Sequence, residues 1–339
     1  MKTPMKSNSY NGKGEPRGTA APPPRSPLAP RREKARSVSL GLSLLTALTL
    51  AGWVTPLHAD DAVVAVTLRS LGGQITEANG SVTKIFFRDC SKLGEPEFKQ
   101  IGQFKSLKSL TLYGSCKGLT DTTLAHLAGL SALEELGTDG IQVTDAGLKH
   151  LAALPNLRSA SFFHIAFPDK GFTGAGFAAF KSLPKLERLT VAGTPFNDQG
   201  MAAVAELTQL KEFRTWHTYQ TQAGNEHLLK LTALRSLMLG QRLRQWNGKP
   251  NPLSIDDSTL VSLAKLKSLE SLSLDEVRLT HAGLVQLKAL PNLKKLTLQH
   301  ADISEADVAK LRTDLPKVTI EWKPLTQDER KKLEGMLKP

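Results

Sequence analysis

Residues 269–298 read LESLSLDEVRLTHAGLVQLKALPNLKKLTL. Leu269, Leu272 and Leu274 open this stretch as L-x-x-L-x-L, and Leu293, Leu296 and Leu298 repeat the spacing 24 residues later. Between them, Leu279-Thr-His-Ala-Gly-Leu284 leads to Leu287 and Leu290 and stops at Pro291. The L-x-L alternation has a period of two, which predicts a short strand with its leucines on one side. The spacing from Leu284 onward predicts a helix, and the Thr280 hydroxyl stands where it can cap the free N–H groups at the start. One strand and one helix cannot enclose their own apolar side, so the unit must stack on copies of itself.

Copies are present along the chain. Aligning the first apolar residue of each unit gives Val82, Leu107, Leu133, Leu157, Leu186, Leu210, Leu234, Leu269, Leu293 and Val318, with gaps of 25, 26, 24, 29, 24, 24, 35, 24 and 25 residues. The second half recurs as Leu119-Thr-Asp-Thr-Thr-Leu124, Val143-Thr-Asp-Ala-Gly-Leu148, Phe196-Asn-Asp-Gln-Gly-Met201 and Ile303-Ser-Glu-Ala-Asp-Val308. Thr120, Thr144, Asn197 and Ser304 are therefore expected caps like Thr280, and Pro155, Pro184 and Pro316 mark exits toward the next strand. Stacked strands lie about 4.8 Å apart and packed helices about 8–10 Å. That mismatch predicts an arc, with parallel strands on the concave face and helices on the convex one.

The pattern resembles the leucine-rich-repeat family. Its Thr-Asp-Ala-Gly-Leu element is similar to the repeats of ribonuclease-inhibitor-like and F-box-type members. The resemblance covers residues 74–322. It implies an α/β fold, a curved right-handed leucine-rich-repeat solenoid, and a general role in protein recognition through the concave face. It names no partner, because members share architecture and differ in what they bind. No F-box precedes the repeats, which argues against a ubiquitin-ligase-type substrate adaptor.

The ends differ from the repeats. Residues 1–36 are basic and rich in proline, including Pro22-Pro23-Pro24 and Arg31-Arg32, and Ser37–Val54 is uncharged apart from its flanks and dense in leucine. Residues 1–59 are expected to be a disordered basic leader with a signal peptide, cleaved after Ala59, or an uncleaved membrane anchor. Residues 60–88 are expected to form an N-terminal cap, with a helix over Asp61–Leu71 and a hairpin turning at Asn79-Gly80. The solenoid is expected over 89–322. Thr326-Gln-Asp-Glu329 is a capping box that opens a C-terminal capping helix within 323–339. The expected location is secreted, periplasmic or cell-surface.

The formal charge of the whole chain is +12, but residues 60–339 carry 35 basic and 30 acidic side chains. A body so nearly balanced does not suggest nucleic acid as a partner. There is no G-x-S-x-G, phosphate loop, C-x-x-C or H-E-x-x-H, so neither an enzyme nor a cofactor is expected. His126 and His150 occupy the same place in adjacent units, too far apart for one metal ion, and no metal site is expected. Cys90 and Cys116 fall at nearly the same turn of neighbouring coils; either a disulfide or two buried thiols fits.

Most outward strand positions are small or polar. Tyr113, Phe163, Arg188, Arg214 and Trp216 stand out, with His164, His217 and Tyr219 just beyond. Aromatic and arginine side chains are the types that anchor interfaces, so these residues are candidates for binding a protein or peptide. The alternative is that the rings fold over to cover the sheet. Two units are long: an excursion from Phe163 to Phe177, and one from Gly240 to Ile255 with Arg242, Arg244, Trp246 and Lys249. They mark either a binding edge or loop drift. The sequence thus reads as a monomeric, exported, non-catalytic protein-binding scaffold, or as a membrane-anchored structural repeat protein.

Overall fold

The computed structural model describes residues 59–165, 171–242 and 252–337. Residues 1–58 of the expected leader lie outside these residues, as do Arg244, Trp246 and Lys249 of the longer excursion. A helix begins at Ala59, the expected cleavage point, and runs to Ser70. No helix among the described residues is long and apolar enough to cross a membrane.

One sheet of eleven strands follows chain order. The strands are β1 Gln74–Ala78, β2 Ser81–Phe87, β3 Ser109–Leu112, β4 Glu135–Asp139, β5 Ser159–Phe163, β6 Arg188–Ala192, β7 Glu212–Trp216, β8 Ser236–Gly240, β9 Ser271–Asp275, β10 Lys295–Gln299 and β11 Thr319–Trp322. β1 and β2 form an antiparallel hairpin. Asn79 and Gly80 take φ of 51° and 70°, the paired left-handed turn that suits strand twist. From β2 on, every pairing is parallel.

The register puts the apolar alternation in one line. Ile85, Leu110, Leu136, Ala160, Leu189, Phe213, Leu237, Leu272, Leu296 and Ile320 are successive partners across the sheet, and all are buried. One interior therefore runs through every coil. Where the line narrows to Ala160, rings fill the space: Phe162 lies 5.4 Å from Phe177, centroid to centroid, and Phe177 lies 5.3 Å from Phe180. The sheet is thus packed on helices on one side only, and its other face points outward.

Two expectations need correction. Asp198–Val204, Asp257–Leu263 and Glu305–Asp314 are continuous α-helices, as expected, but other helical halves are not. Asp121–Leu124, Asp145–Leu148 and His281–Leu284 are single α-turns that pass directly into 3₁₀ segments Ala125–Gly129, Lys149–Ala153 and Val285–Ala289. The reason is visible in Leu124, Leu127 and Leu130, or Leu284, Leu287 and Leu290. Their spacing is three throughout, which matches three residues per turn and puts all three leucines on one line. The tenth anchor is also displaced by one residue. Thr319 pairs with Lys295, so Lys317 rather than Val318 occupies the anchor place, and Ile320 and Trp322 align with Leu296 and Leu298.

The caps behave as side-chain chemistry requires. Thr120, Thr144, Asn197, Thr280 and Ser304 each accept a hydrogen bond from a backbone N–H one turn in. At the other end, Glu329 accepts from the Thr326 amide at 2.8 Å, and the Glu329 amide donates to the Thr326 hydroxyl at 3.2 Å. The longer excursion leaves and returns through a buried polar neck. The Gln241 carboxamide oxygen accepts from the Ser254 amide at 2.7 Å, and the Arg242 amide donates to the Ser254 hydroxyl at 3.1 Å.

Candidate functional site

The outward face of the sheet carries a ribbon of aromatic rings. Phe86 on β2, Tyr113 after β3, Phe163 on β5 and Trp216 on β7 stand in succession, with centroids 6.2, 6.1 and 6.0 Å apart. All four are half-buried. The first two contacts are edge-to-face, at 80° and 81°. Tyr113 and Phe163, and then Phe163 and Trp216, stand two strands apart and meet across the strand between. Tyr113 leans over Gly137, and Phe163 and Trp216 close over Ala192, which is 1% exposed. The rings cover part of the sheet and still present one side to solvent. Phe86 was absent from the candidates, although it sits four residues after Val82, the same outward place that Arg214 holds after Leu210.

Charged side chains border the ribbon. Arg188 reaches over β5 to Glu135, Nη2 to Oε1, at 3.6 Å. It forms a flanking ion pair rather than part of the ring run. Arg214 places its guanidinium carbon 5.9 Å from the centre of the Trp216 ring, and its Nη2 donates to Met238 Sδ at 3.3 Å. Met238 is pressed to 9% exposure although it faces outward.

Along the rim, several strands are followed directly by a residue with positive φ, including His164, His217 and His300 at 44°, 51° and 40°. His164 and His300 reach back to the last strand residue of the coil before, at 2.9 Å from Asp139 and 2.8 Å from Asp275. The coil before His217 ends in Ala192, which offers no side-chain acceptor. His217 turns forward instead and meets Glu276 Oε2 at 2.6 Å. That hydrogen bond holds the imidazole above its ordinary pKa, against the opposing effect of burial. The partner lies 59 residues away in sequence, and no local pattern points to it.

Cys90 and Cys116 lie at successive turns, their amides donating to the Tyr113 and Asp139 carbonyls at 2.8 and 2.9 Å. Both are fully buried free thiols. Their mutual hydrogen bond, and then burial, push the Cys116 thiol far above its usual range. His126 sits 3.3 Å from Glu95. Among the described residues, no three His, Cys, Asp or Glu side chains gather as a metal ion would need.

The repeat itself is held by one side-chain relay between coils. Asp121, Asp145, Asp198 and Asp257 each accept from both the amide and the hydroxyl of the capping threonine one coil on, namely Thr144, Thr173, Thr221 and Thr280. This relay accounts for the Thr and the Asp of the Thr-Asp-x-Gly element.

The chain has the leucine-rich-repeat fold.

No family model and no curated protein matches this leucine-rich-repeat chain. Solved structures similar to it include a leucine-rich-repeat protein of Leptospira interrogans, at 23% identity and a TM-score of 0.41 over 66% of this chain and 51% of that one. Internalin C2 of Listeria monocytogenes gives 18% identity and 0.44 over 78% and 92%. The ectodomain of the Arabidopsis receptor kinase HAESA, solved with a peptide hormone ligand, gives 19% and 0.42 over 72% and 41%. The match spans about half the length of the Leptospira protein. At these identities the likeness concerns the leucine-rich-repeat architecture alone.

Proposed function

We propose that the protein is a non-catalytic scaffold that binds a protein or peptide segment on the outward, concave face of its sheet. The observation that carries this reading is the unbroken contact of Phe86, Tyr113, Phe163 and Trp216 across six strands. Aromatic rings supply contact area at a small cost in side-chain entropy. Rings already held edge-to-face lose little further freedom when a ligand arrives. Four rings side by side also make an apolar floor wider than one pocket, which suits an extended segment better than a small molecule.

The test is retention of displayed linear peptides by the immobilised full chain and by its Tyr113→Ala/Trp216→Ala variant. Binding that is lost in the variant while its unfolding midpoint changes little supports the reading. Equal retention by both, or by neither, overturns it.

The same proposal places the protein outside the cytoplasm. The basic stretch 1–36 ahead of the apolar Ser37–Val54 supports this. Mass analysis of the native N-terminus separates its two forms: a chain starting at Asp60 is released, whereas one retaining Ser37–Val54 is anchored.

A further inference from the structure

Arg214 is exposed, and its guanidinium is engaged only weakly. Its contacts are the Trp216 ring and the Met238 sulfur, a poor acceptor. Among the described residues it forms no ion pair. The carboxylates around the ribbon are already taken: Glu135 by Arg188, Asp139 by His164 and Glu276 by His217. Glu212, two residues earlier on the same strand, makes no ion pair with it. The sequence of residues 243–251, LRQWNGKPN, contains no acid. A guanidinium over an indole keeps its in-plane N–H donors free, in the fork that matches a carboxylate. The apolar rings beside it lower the local dielectric and strengthen such a pairing.

We infer that the segment bound on this face seats aromatic or aliphatic side chains on the ribbon and sets an Asp or Glu side chain against Arg214. This rests on the binding role proposed above. The acid is internal to the segment rather than a chain terminus. β8 to β11 extend the sheet past Arg214, and the small outward residues Ser236, Ser271, Ser273 and Thr297 among them leave room for a chain to continue beside Met238 and the Lys295–Glu321 pair.

Selection of linear peptides, displayed with both ends blocked by flanking sequence, tests this on the full chain. Wild type is expected to enrich peptides with an acid beside apolar residues, and Arg214→Glu to enrich basic ones. Arg214→Ala, or replacement of the peptide's Asp by Asn, is expected to weaken binding of a wild-type-selected peptide roughly 10- to 100-fold. Peptides that carry no acid, bind equally to Arg214→Ala and are lost in Tyr113→Ala/Trp216→Ala would overturn this inference and leave the binding face standing. Peptides indifferent to the ring substitutions, or no enrichment at all, would remove both.

Discussion

The carboxylate of Asp121 accepts from Thr144 twice, from its amide at 2.8 Å and its hydroxyl at 2.6 Å, and so ties one coil to the next. The same carboxylate explains Gly147, where a Cβ would fall 2.0 Å from Asp121 Oδ1. Each of the four coils with Asp in this place is followed by one with Gly three residues after its cap. Where Glu95, Gln222 or His281 stands instead, the next coil carries Thr123, Thr259 or Asp307. Thr123 and Thr259 then close a cap within their own coil. Gly200 follows Gly174 rather than an Asp, and a Cβ there would meet the Phe196 ring at 2.5 Å and the Thr173 carbonyl at 2.6 Å.

This relay predicts non-additive substitutions. Asp121→Ala should cost about 1–2 kcal/mol by orphaning the Thr144 donors. Gly147→Ala should cost about 1–3 kcal/mol by crowding Asp121. The double variant should be more stable than the two losses together imply, by about 1 kcal/mol, because its second change removes the obstructing carboxylate. Denaturant unfolding of the four proteins measures this directly. Strict additivity would mean that Asp121 does not dictate the glycine.

The two cysteines should be inert in the folded chain. Both are fully buried, and Cys116 holds its proton tightly through the hydrogen bond to Cys90. An alkylating reagent should leave the native protein unmodified and add twice after unfolding without reductant. Modification in denaturant only once reductant is present would establish a disulfide instead.

The His217–Glu276 pair makes one contribution to stability depend on pH. The His217 pKa is raised in the fold by its hydrogen bond to Glu276. Folding therefore favours the protonated form. The contribution is fully present below the ordinary histidine value of about 6.5 and fades as pH rises through the higher folded value. Wild type should lose melting temperature relative to His217→Gln over that interval. Parallel profiles for the two proteins would show that the pair contributes nothing measurable.

Much of this architecture is local and therefore legible along the chain. Leu110 and Leu112, or Leu296 and Leu298, announce strands, and Thr280 and Ser304 announce caps, because each depends on neighbours within a few residues. The 3₁₀ segments were also legible, since Leu148, Leu151 and Leu154 never use a spacing of four. A general expectation of helix hides that detail. Val318 misleads because an apolar residue beside the true register place looks like an anchor. The ribbon was harder to read: Tyr113 and Phe163 are 50 residues apart and meet only across an intervening strand. His217 and Glu276 meet across a coil that contributes Gln241 and an excursion of its own, which no repeat alignment brings together.

The aromatic ribbon as a contact surface is tested most directly by a photo-reactive phenylalanine, placed at Phe163 in one protein and at convex Lys288 in another. Illumination with a bound partner or selected peptide should give a covalent adduct from position 163 and none from 288. An adduct from 288 with none from 163 would place recognition on the helical side and contradict the account.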